Sequence, residues 1–242
     1  MRLDKFICKS TELTRTEAKS LLKKGNVKVN GEVIKNAATQ VHEKNEVTLG
    51  EQVLNARSSR YIMMHKPLDT LCSNVDEIHP SVLHLLDVDK AFDLHIAGRL
   101  DVDTTGLILI TDDGRWSHNI ISPKKHCPKI YRVWLRYPLK PELIEHFKQG
   151  VQLQGEDGLT KPAILIPITH TSDDTSDDKE NANEVLLTIT EGKYHQVKRM
   201  FAAVGNKVIG LHREQIGDIV LDESLARGEW RYLTETEINS VS

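Results

Sequence analysis

The chain has 242 residues, of which 39% are hydrophobic, 28% charged and only 5% aromatic. That length fits one large domain or two smaller ones, with enough apolar residues for a core. No apolar run approaches the ~18 residues that cross a bilayer. The opening MRLDKFICKS lacks the apolar stretch of a secretory leader. The three cysteines, Cys8, Cys72 and Cys127, are scattered and have no zinc spacing, so neither a disulfide framework nor a structural metal is expected. Together these features point to a reduced, cytoplasmic protein. The net charge of -3 argues against nucleic acid until its distribution is considered. Residues 1–58 hold eleven Lys/Arg against seven Asp/Glu, whereas the short run 173–184 alone holds six acids.

Leu3, Phe6 and Ile7 recur at helical spacing, which predicts a first short helix. Thr14 then reads as an N-cap with Glu17 three residues on, a capping box, and Gly25 ends the second helix. Arg15, Lys19, Lys23 and Lys24 share its solvent face. The segment VKVNGEVI alternates around Asn30-Gly31, a strong hairpin signal, and EVTLG reads as a further strand. A cationic helix face beside a hairpin suits RNA phosphates, although a lysine pair alone is also an ordinary solvated face. In this order, RLDKF and TRTEAKSLLKKGNVKVNG resemble the S4 RNA-binding domain over about fifty residues. The resemblance implies an α-L-like fold with Arg2, Lys5, Arg15, Lys19, Lys24 and Asn30 on the positions that face RNA.

Leu54 to Ser59 is a polar joint, so the expected domains are residues 1–58 and 59–242. Tyr61 to Met64 reads as a strand broken at Lys66-Pro67. Lys66 is either a phosphate contact or a solvated turn lysine. SVLHLLDV predicts a short helix or buried turn. The stretch HIAGRLDVDTTGLILITDDG then packs Arg99, Asp101 and Thr104-Thr105-Gly106 directly before an apolar, β-favouring run. Charged groups leading into a buried strand sit where a scaffold presents side chains to a cleft.

Beyond that strand, Asp112-Asp113-Gly114 predicts a turn and DGRWSHNIISP a helix carrying Trp116 and Ile120. KIYRVWLRY alternates as a strand, and PELIEHFKQG is an amphipathic helix between Pro and Gly. VQLQGEDGLTKPAILIPI reads as hairpin strands, and the acidic 172–184 insert as a loop tip. VLLTI is a strand turned by Gly192. YHQVKRMFAAVG is a helix with Val197, Met200, Phe201 and Val204 inward. VIGLHREQIGDIVL is mostly strand, and the end gives a short strand and a helical turn capped at Thr234. Strands outnumber helices and no βαβ repeat appears, which predicts an α+β domain on a mostly antiparallel, mixed sheet.

Three clusters each flank a predicted strand: Arg99-Asp101, Lys129 to Arg132 with Tyr131, and His195 to Arg199. Sheet geometry can join them into one cleft. Composition and spacing leave open a structural Arg99-Asp101 ion pair, a paired-carboxylate site using Asp101 and Asp103, and a purely structural His195. No glycine-rich phosphate loop follows a strand, so nucleotide hydrolysis has no support.

The motifs reach further. AGRLDVDTTGLILITDDG, KIYRV and EGKYHQVKRMFAAVGNKVIGLHREQIG resemble the three motifs of the RsuA family of pseudouridine synthases. That resemblance implies a cofactor-free, metal-free isomerisation of a flipped uridine, with Asp101 as the catalytic carboxylate. Tyr131 would stack on the base. Lys198, where many relatives carry Arg, would pair with the carboxylate, with Arg199 as the alternative one residue on. Arg99, Arg199, Arg213 and Lys66 would contact RNA. The implied partner is 16S ribosomal RNA or a small-subunit assembly intermediate, with a uridine of the 516 type as target, no membrane, and a monomeric enzyme. A large-subunit synthase of the same family and a non-catalytic S4-type assembly factor are the alternatives.

Overall fold

The computed structural model describes residues 1–42, 44–168 and 183–241. The acidic insert expected as a loop tip falls almost wholly outside the described residues. The chain divides into two compact units, Met1–Ser59 and Arg60–Ser242, one residue beyond the expected joint.

In the first unit, helix α1 (Leu3–Ser10) buries Leu3 and Ile7, and α2 (Arg15–Lys24) buries Ala18 and Leu22. The Thr14 hydroxyl accepts from the Glu17 amide, while the Glu17 carboxylate accepts from the Thr14 amide, so two otherwise unsatisfied helix-end donors are met. Strands β1 (Val27–Val29), β2 (Glu32–Val33), β3 (Val47–Leu49) and β4 (Gln52–Val53) form an antiparallel sheet in the order β2-β1-β3-β4. The β1–β2 turn takes φ 51 at Asn30 and 84 at Gly31, the left-handed pair that a tight hairpin needs. Val27, Val41, Val47 and Leu54 close a core with the two helices. The two-residue β4 was not expected, because so short an edge strand has no periodicity to read.

The second unit is built on a nine-stranded sheet. Its strands are β5 (Tyr61–Lys66), β6 (His95–Ala97), β7 (Thr105–Thr111), β8 (Lys129–Leu135), β9 (Ile164–Pro167), β10 (Glu184–Ile189), β11 (Val208–Ile216), β12 (Ile219–Val220) and β13 (Trp230–Tyr232). The order is β13-β5-β7-β11-β8-β10-β9, with β6 paired to β7 and β12 to β11. Every pair is antiparallel except β7 with β11. All seven residues of β7 are buried, because apolar layers cover both of its faces. Ile108 and Ile110 join one core with Val133, Phe147, Met200 and Phe201. Leu107 and Leu109 join a second with Trp116, Ile120, Ile216 and Ile219. This is why β7 reads as a continuous apolar run rather than an alternating one.

Helices α3 (Gly114–Ile121), α4 (Glu142–Gln149), α5 (Gln196–Ala203) and α6 (Glu235–Asn239) follow the predicted segments. Asp113 caps α3, and Thr234 makes a second capping box. Residues 151–163 depart from expectation. They hold only an isolated Gln152–Leu159 bridge, and β9 pairs with β10 rather than with the segment before it. The polar GEDG stretch has no apolar face to bury as a strand. Among the described residues no helix is long and apolar enough to cross a membrane.

Candidate active site

The register of the sheet places Lys66, Gly106, Arg213 and Tyr131 in one row across β5, β7, β11 and β8. The row closes on itself. The Arg213 guanidinium is 1% exposed and donates to the carbonyls of Leu107 at 2.8 Å and Gly98 at 2.6 Å, and to the Tyr131 hydroxyl at 3.3 Å. Lys66 is fully buried, and its Nζ donates to the carbonyls of Pro67 at 2.9 Å, Thr104 at 3.0 Å and Val102 at 3.4 Å. Gly106 makes this packing possible. At φ 110, a Cβ there would come within 2.3 Å of the Arg213 carbonyl oxygen. Burial pulls the Lys66 ammonium below the usual lysine range, against the opposing charges of Asp103 and Asp101.

Both cations thus grip the loop 98–104 that joins β6 to β7, and Asp101 stands on that loop. Its carboxylate is about one-third exposed. Lys198 Nζ donates to Asp101 Oδ2 at 3.0 Å and to Asp103 Oδ1 at 2.6 Å. His195 Nε2 lies 3.3 Å from Asp101 Oδ1. Burial works against a charged Lys198, but the hydrogen bonds and charges of Asp103 and Asp101 outweigh it and raise its pKa. Burial likewise opposes the charged form of Asp103, yet the Lys198 contact holds that carboxyl below the usual range. Asp101 is therefore clamped from two sides by residues at the start of α5.

Beside it opens a cleft of about 770 Å³ whose lining includes Arg99, Asp101, Tyr131, Tyr194 and His195. A narrower recess of about 110 Å³ runs between Asp101, Tyr131 and the N-terminal end of α5. Tyr131 is 7% exposed and forms part of its wall, and Arg99 is exposed at the lip. Among the described residues no group of three or more His, Cys, Asp or Glu is placed to hold a metal ion.

A carboxylate fixed at the rim of a recess that also presents a buried tyrosine suits chemistry on a planar base. Comparison with known proteins names that chemistry. The profile of the RNA pseudouridylate synthase family matches residues 60–203, and that of the S4 domain matches residues 1–47. The chain belongs to the RNA pseudouridylate synthases. It is 54% identical over 241 residues to the ribosomal small subunit pseudouridine synthase A of Vibrio cholerae, covering 100% of this chain and 99% of that one. The enzyme of the same name from Escherichia coli K12 is 50% identical over 242 residues, covering 100% of both chains. A crystal structure of a pseudouridylate synthase matches with a TM-score of 0.70 at 45% identity, again over 100% of both chains.

In this synthase the structure brings together Asp101, Tyr131, Lys198 and Arg99, and it corrects two other expectations. Lys66 is not available to a phosphate, because it is buried and its ammonium is spent on three backbone carbonyls. Arg213 is not available either, because its guanidinium lies inside the sheet and holds the Tyr131 hydroxyl and the 98–104 loop. The alternative of Arg199 as the partner of Asp101 also fails. Its guanidinium binds Glu156 Oε1 at 3.2 Å and the carbonyls of Gln154 at 2.8 Å and Tyr194 at 3.1 Å.

His195, open to a purely structural reading in the sequence, stands against Asp101. It precedes α5 with a left-handed φ of 46, outside the helical periodicity, and it is the fold that brings it to Asp101 beside Lys198. In the S4 unit, Arg15, Lys19, Lys24 and Asn30 are exposed. Arg2 makes a double hydrogen bond to the buried Asp4, at 3.0 and 2.9 Å. The Asn30 side-chain oxygen accepts from the Glu46 amide at 3.0 Å, so this residue also pins the hairpin to the start of β3.

Proposed function

We propose that this synthase converts one uridine of 16S ribosomal RNA, of the 516 type, to pseudouridine, with Asp101 as the reacting carboxylate. One observation carries the reading: Asp101 is held by Lys198 and His195 at the rim of a recess walled by Tyr131. The choice of RNA rests on full-length similarity to enzymes named for the small subunit. The target uridine leaves its stack, since its reacting atoms are out of reach inside folded RNA. Its base enters the recess against Tyr131. The C1′–N1 bond breaks, the uracil turns, and C1′ bonds to C5. The proton lost from C5 is matched by one gained at N1, so the reaction balances without a cofactor. Retaining the detached base requires a tight, water-poor recess. Lys198 holds Asp101 in place through its 3.0 Å hydrogen bond, and exposed Arg99 contacts the RNA beside the vacated stack. The basic face of the S4 unit, Arg2, Lys5, Arg15, Lys19 and Lys24 with Asn30, engages phosphates on the rRNA or on an assembly intermediate.

Asp101→Asn is expected to lower pseudouridine formation by roughly 10³-fold or more while RNA binding stays near normal. Turnover like that of the wild type by this variant would refute the assignment. Pseudouridine mapping of rRNA from a deletion strain should show one lost small-subunit site. Loss at a large-subunit site instead would reassign the substrate.

A further inference from the structure

Tyr194 is more exposed than any other aromatic side chain of the described residues, at 76%, and it stands on the rim of the cleft. An aromatic ring so exposed is usually mobile and poorly placed. This one is held. Its ring lies flat on the His195 imidazole, with centroids 3.8 Å apart and planes 19° apart. His195 is in turn tied to Asp101 at 3.3 Å and adopts the left-handed φ of 46. The Tyr194 carbonyl accepts from Arg199, which is itself braced by Glu156 and Gln154. One face of the tyrosine is therefore covered by His195 and fixed, and the other faces solvent.

We propose that Tyr194 is a stacking platform for the unpaired nucleobase next to the target uridine. This deepens the function proposed above and rests on the reading of Asp101 as the reacting group. Proteins that read single-stranded or unstacked RNA lay bases on exposed aromatic rings. Tyr131 cannot serve that neighbour, because it is only 7% exposed and walls the inner recess. Tyr194 cannot serve the reacting base, because it lines the wider cleft but not the recess. The two tyrosines thus divide the work, with the reacting base inside and its neighbour on the rim. Exposed Arg99 lines the same cleft and supplies the cation for the phosphate between them. The cleft of about 770 Å³ lies toward the top of the ~300–1,000 Å³ range of small-molecule sites, which suits more than a single base.

The test uses the full chain and a small-subunit rRNA fragment carrying 2-aminopurine on the 5′ or the 3′ side of the target uridine. With wild-type enzyme, binding should quench the fluorescence at one of these positions, and Tyr194→Ala should abolish the quench. The same variant should raise KM roughly 5- to 100-fold at nearly constant kcat. Tyr194→Phe and Tyr194→Trp should restore both readouts, and Tyr194→Leu should restore neither. An abasic nucleotide at the quenched position should weaken wild-type binding by a similar factor and add nothing to Tyr194→Ala.

An unchanged KM and quench in Tyr194→Ala overturns the platform. So does a fall in kcat at constant KM, which would mean that Tyr194 acts on Asp101 through His195. Failure of the functional reading looks different. If wild-type enzyme makes no pseudouridine in this fragment, the substrate assignment falls, and the platform is scored by the same quench on the RNA that is converted. Normal turnover by Asp101→Asn removes the site reading without moving the Tyr194 readouts.

Discussion

Asp101 and Lys198 are 97 positions apart in the chain and 3.0 Å apart in space. Their meeting depends on residues that do no chemistry. Gly106 is the most demanding of these. With Ala at this position the φ of 110 is strained, and the new Cβ falls 2.3 Å from one backbone oxygen of β11 and 2.5 Å from a backbone nitrogen. Backbone cannot swing aside as a flexible side chain can. Gly106→Ala is expected to cost about 3 kcal/mol or more of stability, read as a lower urea midpoint, and to remove activity as well. A variant with the wild-type midpoint would show that β7 and β11 are not packed this closely. The Thr104-Thr105-Gly106 run was visible in the sequence beside Asp101, and the motif resemblance supplied Tyr131 and Lys198. The buried positions of Lys66 and Arg213 are hidden from the sequence for a physical reason. A basic residue next to a proline or in a polar strand looks like surface, and nothing in the sequence marks the backbone carbonyls that solvate a buried cation.

At the level of elements, what was legible is what has a period or a cap. The seven-residue apolar run of β7, the alternation of β8, the Asn30-Gly31 turn and the capping boxes at Thr14 and Thr234 all carry local signals. The strands β4 and β6 do not, because two or three residues cannot display alternation. Strand β11 adds an electrostatic feature that local pattern does not announce. His212 on β11 accepts or donates at 2.8 Å to Thr105 of β7 and meets His65 of β5 edge-on at 5.3 Å. Burial, with the His65 charge beside it, pulls His212 from its ordinary 6.5 down to about 4. The unfolded chain therefore binds this proton at a higher pH than the folded one. Between about 4 and 6.5 the unfolded state holds more protons, so stability rises with pH across that window and is lost as pH falls through it. The His212 ring is only partly buried, so solvent screening reduces the effect to about 2 kcal/mol. Thermal midpoints measured between pH 4 and 7 should show this limb in the wild type, and His212→Asn should flatten it. An unaltered acid limb in the variant would assign the effect to other groups.

At the scale of the whole chain, two compact units have separate cores. Leu3, Ile7, Leu22 and Val47 close the first without help from the second. Residues 60–242 keep every residue of the Asp101 cleft. Deleting residues 1–59 should weaken RNA affinity and flatten its dependence on salt, because each lost phosphate contact removes counterion release. Titrations at several salt concentrations check this, and an unchanged slope would place the phosphate contacts elsewhere. The division into an RNA-binding start and an α+β remainder was legible from charge asymmetry and from the polar joint. Strand order was not, since it is set by contacts between distant segments.

That strand order has a consequence for synthesis. Strand β11 sits between β7 and β8, yet of these central strands it leaves the ribosome last. Until it arrives, β8 and the Thr105–Gly106 end of β7 present open edges, and Tyr131 has no guanidinium behind it. The S4 unit, which has its own core, emerges first. The slot between β7 and β8 is filled by one late strand, which completes the sheet and brings Arg213 to Tyr131.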